Sequence, residues 1–456
     1  MTNSNNVISS ATQTSAVGTI TDVRQRGWIG QMQLGHLNRR FLTLATRVDE
    51  FSVFGEDVDP AVLPTVRGSW VISEEDFFQP LSGAVSSLRL RAAFGTTGRA
   101  PGAGAALTTL ASAPSITGTS SEAGAVPANP GNPLLKPERG EELEIGFDAG
   151  FFNERLGLEF TYFDKKTNDL ILSQPLPPSL GFTQNPQVNI GSVRNSGIEV
   201  AINANLYDSP TFTWDIRGGF NTLTNELTDL GGINAFGTLN RFTEGAPLGA
   251  WVSKRIRNID EATGVVTVAD TFEVVGSQFP GFEGTLTSTF TLFRQLRISA
   301  QFDTKQDFLI YNNTDFFRET QLVRSDVRLD TTLLPRRERL RRYGNPTAGQ
   351  PAFRQENGAS TTVNEVRDHF LQPGDFIRFR ELGVTWDIPA RLATRMPGVA
   401  TASLGFAVQN VALWKHKDFT GPDPEVISAA GAQFSRDDFL TLPNPRTTVL
   451  RLNVTF

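Results

Sequence analysis

Residues 141–152 read EELEIGFDAGFF. Successive side chains of an extended strand point to opposite faces. Leu143, Ile145, Phe147, Ala149 and Phe151 therefore share one side, and Glu142, Glu144, Gly146, Asp148 and Gly150 share the other. A strand buried in a soluble core would not carry carboxylates along its second face. One face requires hydrocarbon and the other water, and the stretch has about the 9–11 residues that cross a bilayer at a tilt. A sheet spans lipid only if it closes on itself and leaves no edge. The fold class predicted is all-β, an antiparallel transmembrane β-barrel with outer-membrane lipid around it.

The same pattern recurs along the chain. Leu156, Leu158, Phe160 and Tyr162 oppose Gly157, Glu159 and Thr161. Ile198, Val200, Ile202, Ala204 and Leu206 oppose Glu199, Asn203 and Asn205, and Phe212, Trp214, Ile216 and Phe220 oppose Thr213, Asp215, Arg217 and Asn221. Phe282, Leu286, Phe290 and Leu292 oppose Glu283 and a run of threonines. Leu296, Ile298, Ala300 and Phe302 oppose Arg297, Ser299, Gln301 and Asp303. One alternating run is weak evidence for a membrane strand, but a series of them is not. Charges are costly against lipid and tolerated against water. Glu142, Glu144, Asp148, Glu159, Glu199, Asp215, Arg217, Glu283, Arg297 and Asp303 are thus expected to face the lumen.

The connectors sort into two alternating kinds. Tight ones lie near 37–40, 152–155, 207–210 and 294–295, and long ones near 96–140, 171–191, 223–280, 311–371 and 411–442. Short turns at one rim and long loops at the other match the asymmetry of outer-membrane barrels. With the last strand ending on the periplasmic side, the tight turns fall in the periplasm and the long loops outside, over about thirteen strands. The domain division expected is a loop remnant over 1–24 and barrel strands with their loops over 25–456.

Bulk properties narrow the function classes. The 456 residues show no composition break that would divide them into domains. Mean hydropathy is −0.21, and no apolar run suffices for a spanning helix. There are 34 Phe against 4 Tyr, which suits lipid-facing positions, and no Cys, which fits passage through an oxidising periplasm and removes thiolate sites. A net charge of −6 argues against nucleic acid as a partner. The N-terminal MTNSNNVISSATQTS has neither the charged nor the apolar region of a signal peptide. A barrel needs an export signal, so the chain is expected to be a fragment.

Asn132, Pro133, Leu135, Lys136, Pro137 and Glu138 in NPLLKPE resemble a recurrent motif of TonB-dependent outer-membrane receptors. The likeness continues, in order, through RFLTLATRVDEFSVFG at 40–55, SWVISEEDFF at 69–78, LRLRAAFGTTG at 88–98 and GSVRNSGIEVAINA at 191–204. EGAPLGAW at 244–251, PGDFIRFRELGVTWDIP at 373–389 and VQNVALWKHKDFTGPDPEV at 408–426 complete it. Together they resemble the C-terminal half of the SusC/RagA-like branch. That resemblance implies a barrel of about 22 strands around an N-terminal plug, with the plug and roughly nine strands lying outside this chain. It implies import of oligosaccharides or peptides with a SusD-like surface lipoprotein and with TonB–ExbB–ExbD. The ending TTVLRLNVTF, with Leu450, Leu452, Val454 and Phe456 alternating, resembles the C-terminal strand recognised by the barrel-assembly machinery.

No catalytic residues, cofactor or metal site are expected, and the chain is not read as an enzyme. His36, His369 and His416 are scattered and read as surface or rim residues. Gly-rich 95–104 lacks a GK[ST] ending and reads as a flexible loop. The basic run 334–342 reads as a solvated helical turn, with an anionic contact as the alternative. Asp423, Glu425 and nearby Asp418 sit between prolines and suggest a rigid turn ahead of a calcium site. A siderophore or cobalamin receptor, a passive porin and a secreted soluble β-rich binding protein remain the alternative functions.

Overall fold

The structure is a computed structural model that describes residues 22–53, 59–117, 120–318, 335–345, 353–393, 395, 397–428 and 436–456, with the backbone alone over 114–117 and 120–123. One antiparallel meander dominates it. Its strands are β1 (Gln25–His36), β2 (Arg40–Phe51), β3 (Ala61–Val71), β4 (Val85–Arg99), β5 (Glu138–Phe151), β6 (Leu156–Asn168) and β7 (Ser192–Asp208). Then follow β8 (Phe212–Thr222), β9 (Phe282–Leu292), β10 (Leu296–Gln306), β11 (Phe376–Ile388), β12 (Thr401–Lys415) and β13 (Thr447–Thr455). Each pairs with its neighbours in sequence, and the short strand Thr224–Asp229 adds to β7 off this path. Residues 1–21, which hold most of the expected loop remnant, lie outside the described residues.

The register carries the alternation across the sheet. Gly146 pairs with Thr161, Thr161 with Glu199, Glu199 with Asn221, Asn221 with Glu283 and Glu283 with Lys305, a polar row over β5 to β10. The apolar counterpart runs Ala149, Leu158, Ile202, Gly218, Leu286, Phe302, Phe379. Stacked rings reinforce this face, Phe147 on Phe160 at 5.5 Å and Phe302 on Phe379 at 4.5 Å. Leu450, Leu452 and Val454 of β13 pair with Phe406, Leu404 and Ala402 on the same face. Phe456 lies just past the strand and is 87% exposed.

Among the described residues no second sheet covers the apolar face. Met32, Phe94, Ile145, Leu286, Phe406 and Leu452 are all exposed there. The buried hydrophobic clusters sit instead mainly in the long connectors. Leu170, Leu172, Ile190, Leu227, Leu230 and Leu248 form one, and Trp251, Tyr311, Phe316, Phe370 and Leu371 another. Val266, Val268, Leu340, Phe353 and Val366 form a third, each cluster drawing on more than one connector. A soluble sandwich would bury its strand faces against each other, and this chain buries loops against loops. No helix among the described residues is long and apolar enough to cross a membrane, which says nothing about strands.

Several expectations need correction. Connectors alternate by rim but not uniformly by length: 72–84 and 389–400 on the tight-turn rim are longer and contain short helices, and 52–60 opposite is short. The stretch Gly95–Arg99 is strand, not loop, because β4 continues to pair with β5 through Arg99 and Glu138. There the partner strand imposes extension on a Gly-Thr-Thr-Gly run that has no strong preference of its own. The basic run is the helix Arg336–Tyr343, anchored by buried Leu340, while Leu334 lies outside the described residues.

Candidate functional site

The register places Glu142, Glu144, Asp148, Glu159, Glu199, Asp215, Arg217, Glu283, Arg297 and Asp303 on one face of the sheet, opposite the apolar face. Glu142, Glu144, Glu159 and Glu199 line a single cavity of about 330 Å³ with Arg91 and Thr161. A second, of about 550 Å³, is lined by Glu199, Glu283, Asp303, Lys305, Arg380 and Glu425 among others. Cations on the same face answer part of the charge. Lys165 reaches Glu142 at 3.1 Å, Arg91 reaches Asp148 at 3.0 Å, and Lys305 reaches Glu283 at 2.8 Å. Arg91 also donates to Thr161 Oγ1 at 2.7 Å. Glu144, Glu159 and Glu199 have no ion pair among the described residues. Half-exposed pairs of this kind contribute roughly 0–1 kcal/mol each, so their effect is to position side chains rather than to hold the fold. The result is a polar, mostly acidic wall.

The wall is strapped from above. Phe419 packs with Phe308, Ile310 and Phe376, which brings the segment 416–428 onto the polar face of β11. Arg378, 2% exposed, pairs with Asp423, 1% exposed, and its Nε lies 3.2 Å from Glu425. Arg380 bridges Asp303 at 2.5 Å and Glu425 at 2.7 Å. Asn444 closes the far side, its backbone N–H donating to Asp423 at 3.1 Å and its Nδ2 to Glu425 at 3.2 Å. The rigid-turn reading of GPDPEV is therefore the one the geometry favours, since both carboxylates are satisfied by arginines. No metal-binding group of His, Asp and Glu occurs among the described residues.

A bulge makes this strap possible. Between Phe379 and Glu381 the register of β11 shifts against both neighbours: Arg380 is the extra residue against β10, and against β12 it lies opposite two residues, Asn410 and Val411. A bulge re-aims side chains and changes the phase of alternation. Here Arg378 and Arg380 both reach the polar side while Leu382, Val384 and Trp386 return to the apolar one. Sequence reading missed the cations Arg91, Lys165, Lys305, Arg378 and Arg380. The odd spacing of Phe379 and Leu382 was the signal available for the last two.

The NPLLKPE segment is a clamp between connectors. Asn132 donates from Nδ2 to the Gln187 carbonyl at 3.0 Å, and its Oδ1 accepts from Leu134 N–H at 3.1 Å. Lys136 N–H donates to Asn189 Oδ1 at 2.6 Å, Asn189 Nδ2 donates back to the Lys136 carbonyl at 2.8 Å, and Leu135 is fully buried. Glu138 accepts from Ile171 N–H at 2.9 Å.

In the loop body, the hydrogen bond from Arg341, with Arg342 assisting, holds the Glu338 carboxyl down at about 2. Burial, with the Arg342 and Arg341 charges, pushes His369 down to about 4, and its Nδ1 accepts from Arg341 at 3.0 Å. His36 ends β1, and His416 stands 3.8 Å from Asp418. The three histidines do not meet.

An uncovered apolar wall, a charged opposite face and packed loops at one rim define a membrane β-barrel wall with an elaborated loop body. A family described as TonB dependent receptor-like, beta-barrel, matches residues 3–410, and the chain belongs to that family. Its β-barrels are outer-membrane proteins, and it is a family of transport receptors rather than enzymes. TonB-dependent receptor P26 of Formosa agariphila is 27% identical over 94% of this chain and 46% of that protein. TonB-dependent receptor SusC of Bacteroides thetaiotaomicron is 31% identical over 45% of this chain and 21% of that protein. The RagAB peptide transporter superposes with a TM-score of 0.80 at 20% identity, covering 99% of this chain and 50% of that one. The sequence thus spans about half the length of the relatives it matches.

Replacing Arg378 with Ala leaves Asp423 buried without its partner, a loss of about 3–5 kcal/mol. Trypsin is then expected to cut at Lys417 much faster than in the parent chain, and Glu425→Gln is expected to have the smaller effect. Unchanged cleavage in Arg378→Ala contradicts the strap. A second expectation concerns pH. The folded pKa of His369 lies below its usual 6.5, so stability present above pH 6.5 is lost as pH falls through about 4. The loss is about 3 kcal/mol in the loop body. Hydrogen exchange of residues 364–372, corrected for intrinsic rates, is expected to quicken over that window and to stay flat in His369→Gln.

Proposed function

We propose that the polar face lines the lumen of an outer-membrane importer that takes up oligosaccharides or peptides with TonB energy coupling. This chain would supply the wall and loop body. The observation that carries the reading is the family match over most of the chain. The names of its relatives, TonB-dependent receptor P26 and SusC, support the energy-coupled class, and the name of a structural neighbour, a peptide transporter, supports peptides within that range. In this reading ligand is captured among the connectors at the long-loop rim. A SusD-like surface lipoprotein closes over them, and TonB–ExbB–ExbD supplies the energy that clears the lumen. Glu144, Glu159 and Glu199 are the uncompensated charges the passing ligand meets, and the Arg378 and Arg380 strap narrows the passage beside them. Assembly into the membrane by the barrel-assembly machinery would use Leu450, Leu452, Val454 and Phe456.

Deleting the coding region from its host tests this. Uptake of labelled oligosaccharides or peptides is expected to fall to background, and a protonophore is expected to abolish it in the intact strain. Uptake that survives the protonophore would point to a passive pore and overturn the energy-coupled reading.

A further inference from the structure

Strand β4 turns small residues to the polar side where its neighbours turn long ones. By register Ala93 lies between Arg67 of β3 and Glu144 of β5, and Gly95 lies between Thr65 and Glu142. The small pair leaves a trough over β4, a cavity of about 530 Å³ with Arg67 and Thr65 on one side and Glu142 and Glu144 on the other. Neighbouring strands run about 4.8 Å apart, so the backbones that carry Arg67 and Glu144 are separated by about 10 Å. The two side chains are long enough to meet across Ala93, yet they do not pair. The Arg67 guanidinium makes no hydrogen bond or ion pair among the described residues. Arg91, the other cation lining the trough, is spent on Asp148 and Thr161, and Glu142 is held by Lys165. Glu144 has no ion pair among the described residues, and it also lines the adjoining cavity with Glu159 and Glu199, which are equally unpaired.

We propose that the trough binds a short peptide lying across the strands, its carboxylate on Arg67 and its ammonium group against Glu144, Glu159 and Glu199. The proposal rests on the reading that the polar face is the lumen of an importer, and it names the ligand class within that reading. Free charges of opposite sign on the two sides of one cavity answer a ligand that carries both. An uncharged oligosaccharide would displace water from Arg67 and Glu144 and return no counter-charge, which costs more than it gains. A guanidinium also presents its N–H groups as a fork that matches a carboxylate. The reach fits as well. From Arg67 the wall runs about 10 Å to the strand of Glu144 and about 19 Å to that of Glu199, a span that an extended peptide of about three to five residues covers. Phe41 stands on the same face, in a row with Ser69 and Arg91, and offers a peptide side chain an apolar contact.

The test returns the coding region to the deletion strain as the parent sequence, as Arg67→Gln or as Glu144→Gln, with the amount of each in the outer membrane measured. Uptake is the part that the deletion strain lacks. The probes are a short labelled peptide with uncharged side chains, the same peptide amidated at its carboxyl end or acetylated at its amine, and a neutral oligosaccharide. The parent is expected to half-saturate with the free-ended peptide at a concentration about tenfold below that for either blocked form, the step that one charge-assisted contact gives. Arg67→Gln is expected to erase the penalty of amidation and keep that of acetylation, and Glu144→Gln to shrink the penalty of acetylation alone. Losses from Arg67→Gln and from amidation that add instead of cancelling give Arg67 a structural role and overturn the proposal. The comparison of peptide forms on the parent needs no substitution, so it decides even where a variant fails to assemble. A parent that imports all three peptide forms alike, or the oligosaccharide but no peptide, overturns the trough and leaves the importer standing. A parent that imports none of the probes takes the importer reading down with the proposal.

Discussion

The backbone of a strand in hydrocarbon has no water to fall back on, so every N–H and C=O within the bilayer must find a partner in the chain. That constraint orders most of what this protein does. It is met by a meander in which each strand pairs with its neighbours in sequence, from β1 through β13, so that every strand between the first and the last is paired on both sides. It also demands strict alternation, since a one-residue slip would turn Glu142, Glu144 and Asp148 toward lipid. Where the sequence does slip, at Phe379 to Leu382, a bulge absorbs the extra residue and returns Leu382, Val384 and Trp386 to the apolar face.

Giving the apolar face to lipid leaves the wall without an ordinary core. Packing has moved to the long-loop rim, where Trp251, Phe370, Phe353 and Leu227 are buried as deeply as in any globular interior. Loop body and wall are joined by the apolar packing of Phe419 on Phe376 and by a set of polar contacts. Arg378 and Arg380 hold Asp423 and Glu425, and Asn132, Lys136 and Glu138 tie neighbouring connectors together. Buried ion pairs are poor sources of stability, but they enforce geometry, because either partner alone is expensive to keep in place. The loops are thus positioned by groups that tolerate few alternative arrangements.

The alternation was legible in the residues of β5 to β10 because a period of two survives any local detail. The polar face could be assigned for the same reason. What escaped was whatever breaks the period or depends on a distant partner. Gly95–Arg99 looked like a loop because its extension is imposed by β5 across the ladder. The rigid turn at Asp423 and Glu425 was legible from its prolines, but the arginines that hold the two carboxylates were not, because they lie 45 residues earlier in the chain. The packed loop clusters were invisible, since each draws apolar residues from connectors far apart in sequence. The connectors 72–84 and 389–400 were missed as members of the tight-turn rim because length, the only cue used, does not mark a rim.

The central claim is that one face of this sheet meets hydrocarbon and the other meets water. The native tryptophans test it without any substitution. Trp28, Trp70, Trp214, Trp386 and Trp414 lie on the apolar face by register, and Trp251 is buried in the loop body. In vesicles containing brominated phospholipid, most of the emission should be quenched, with a residue from Trp251, while aqueous iodide should remove little. Strong quenching by iodide with no effect of the brominated lipid would contradict the assignment of the two faces.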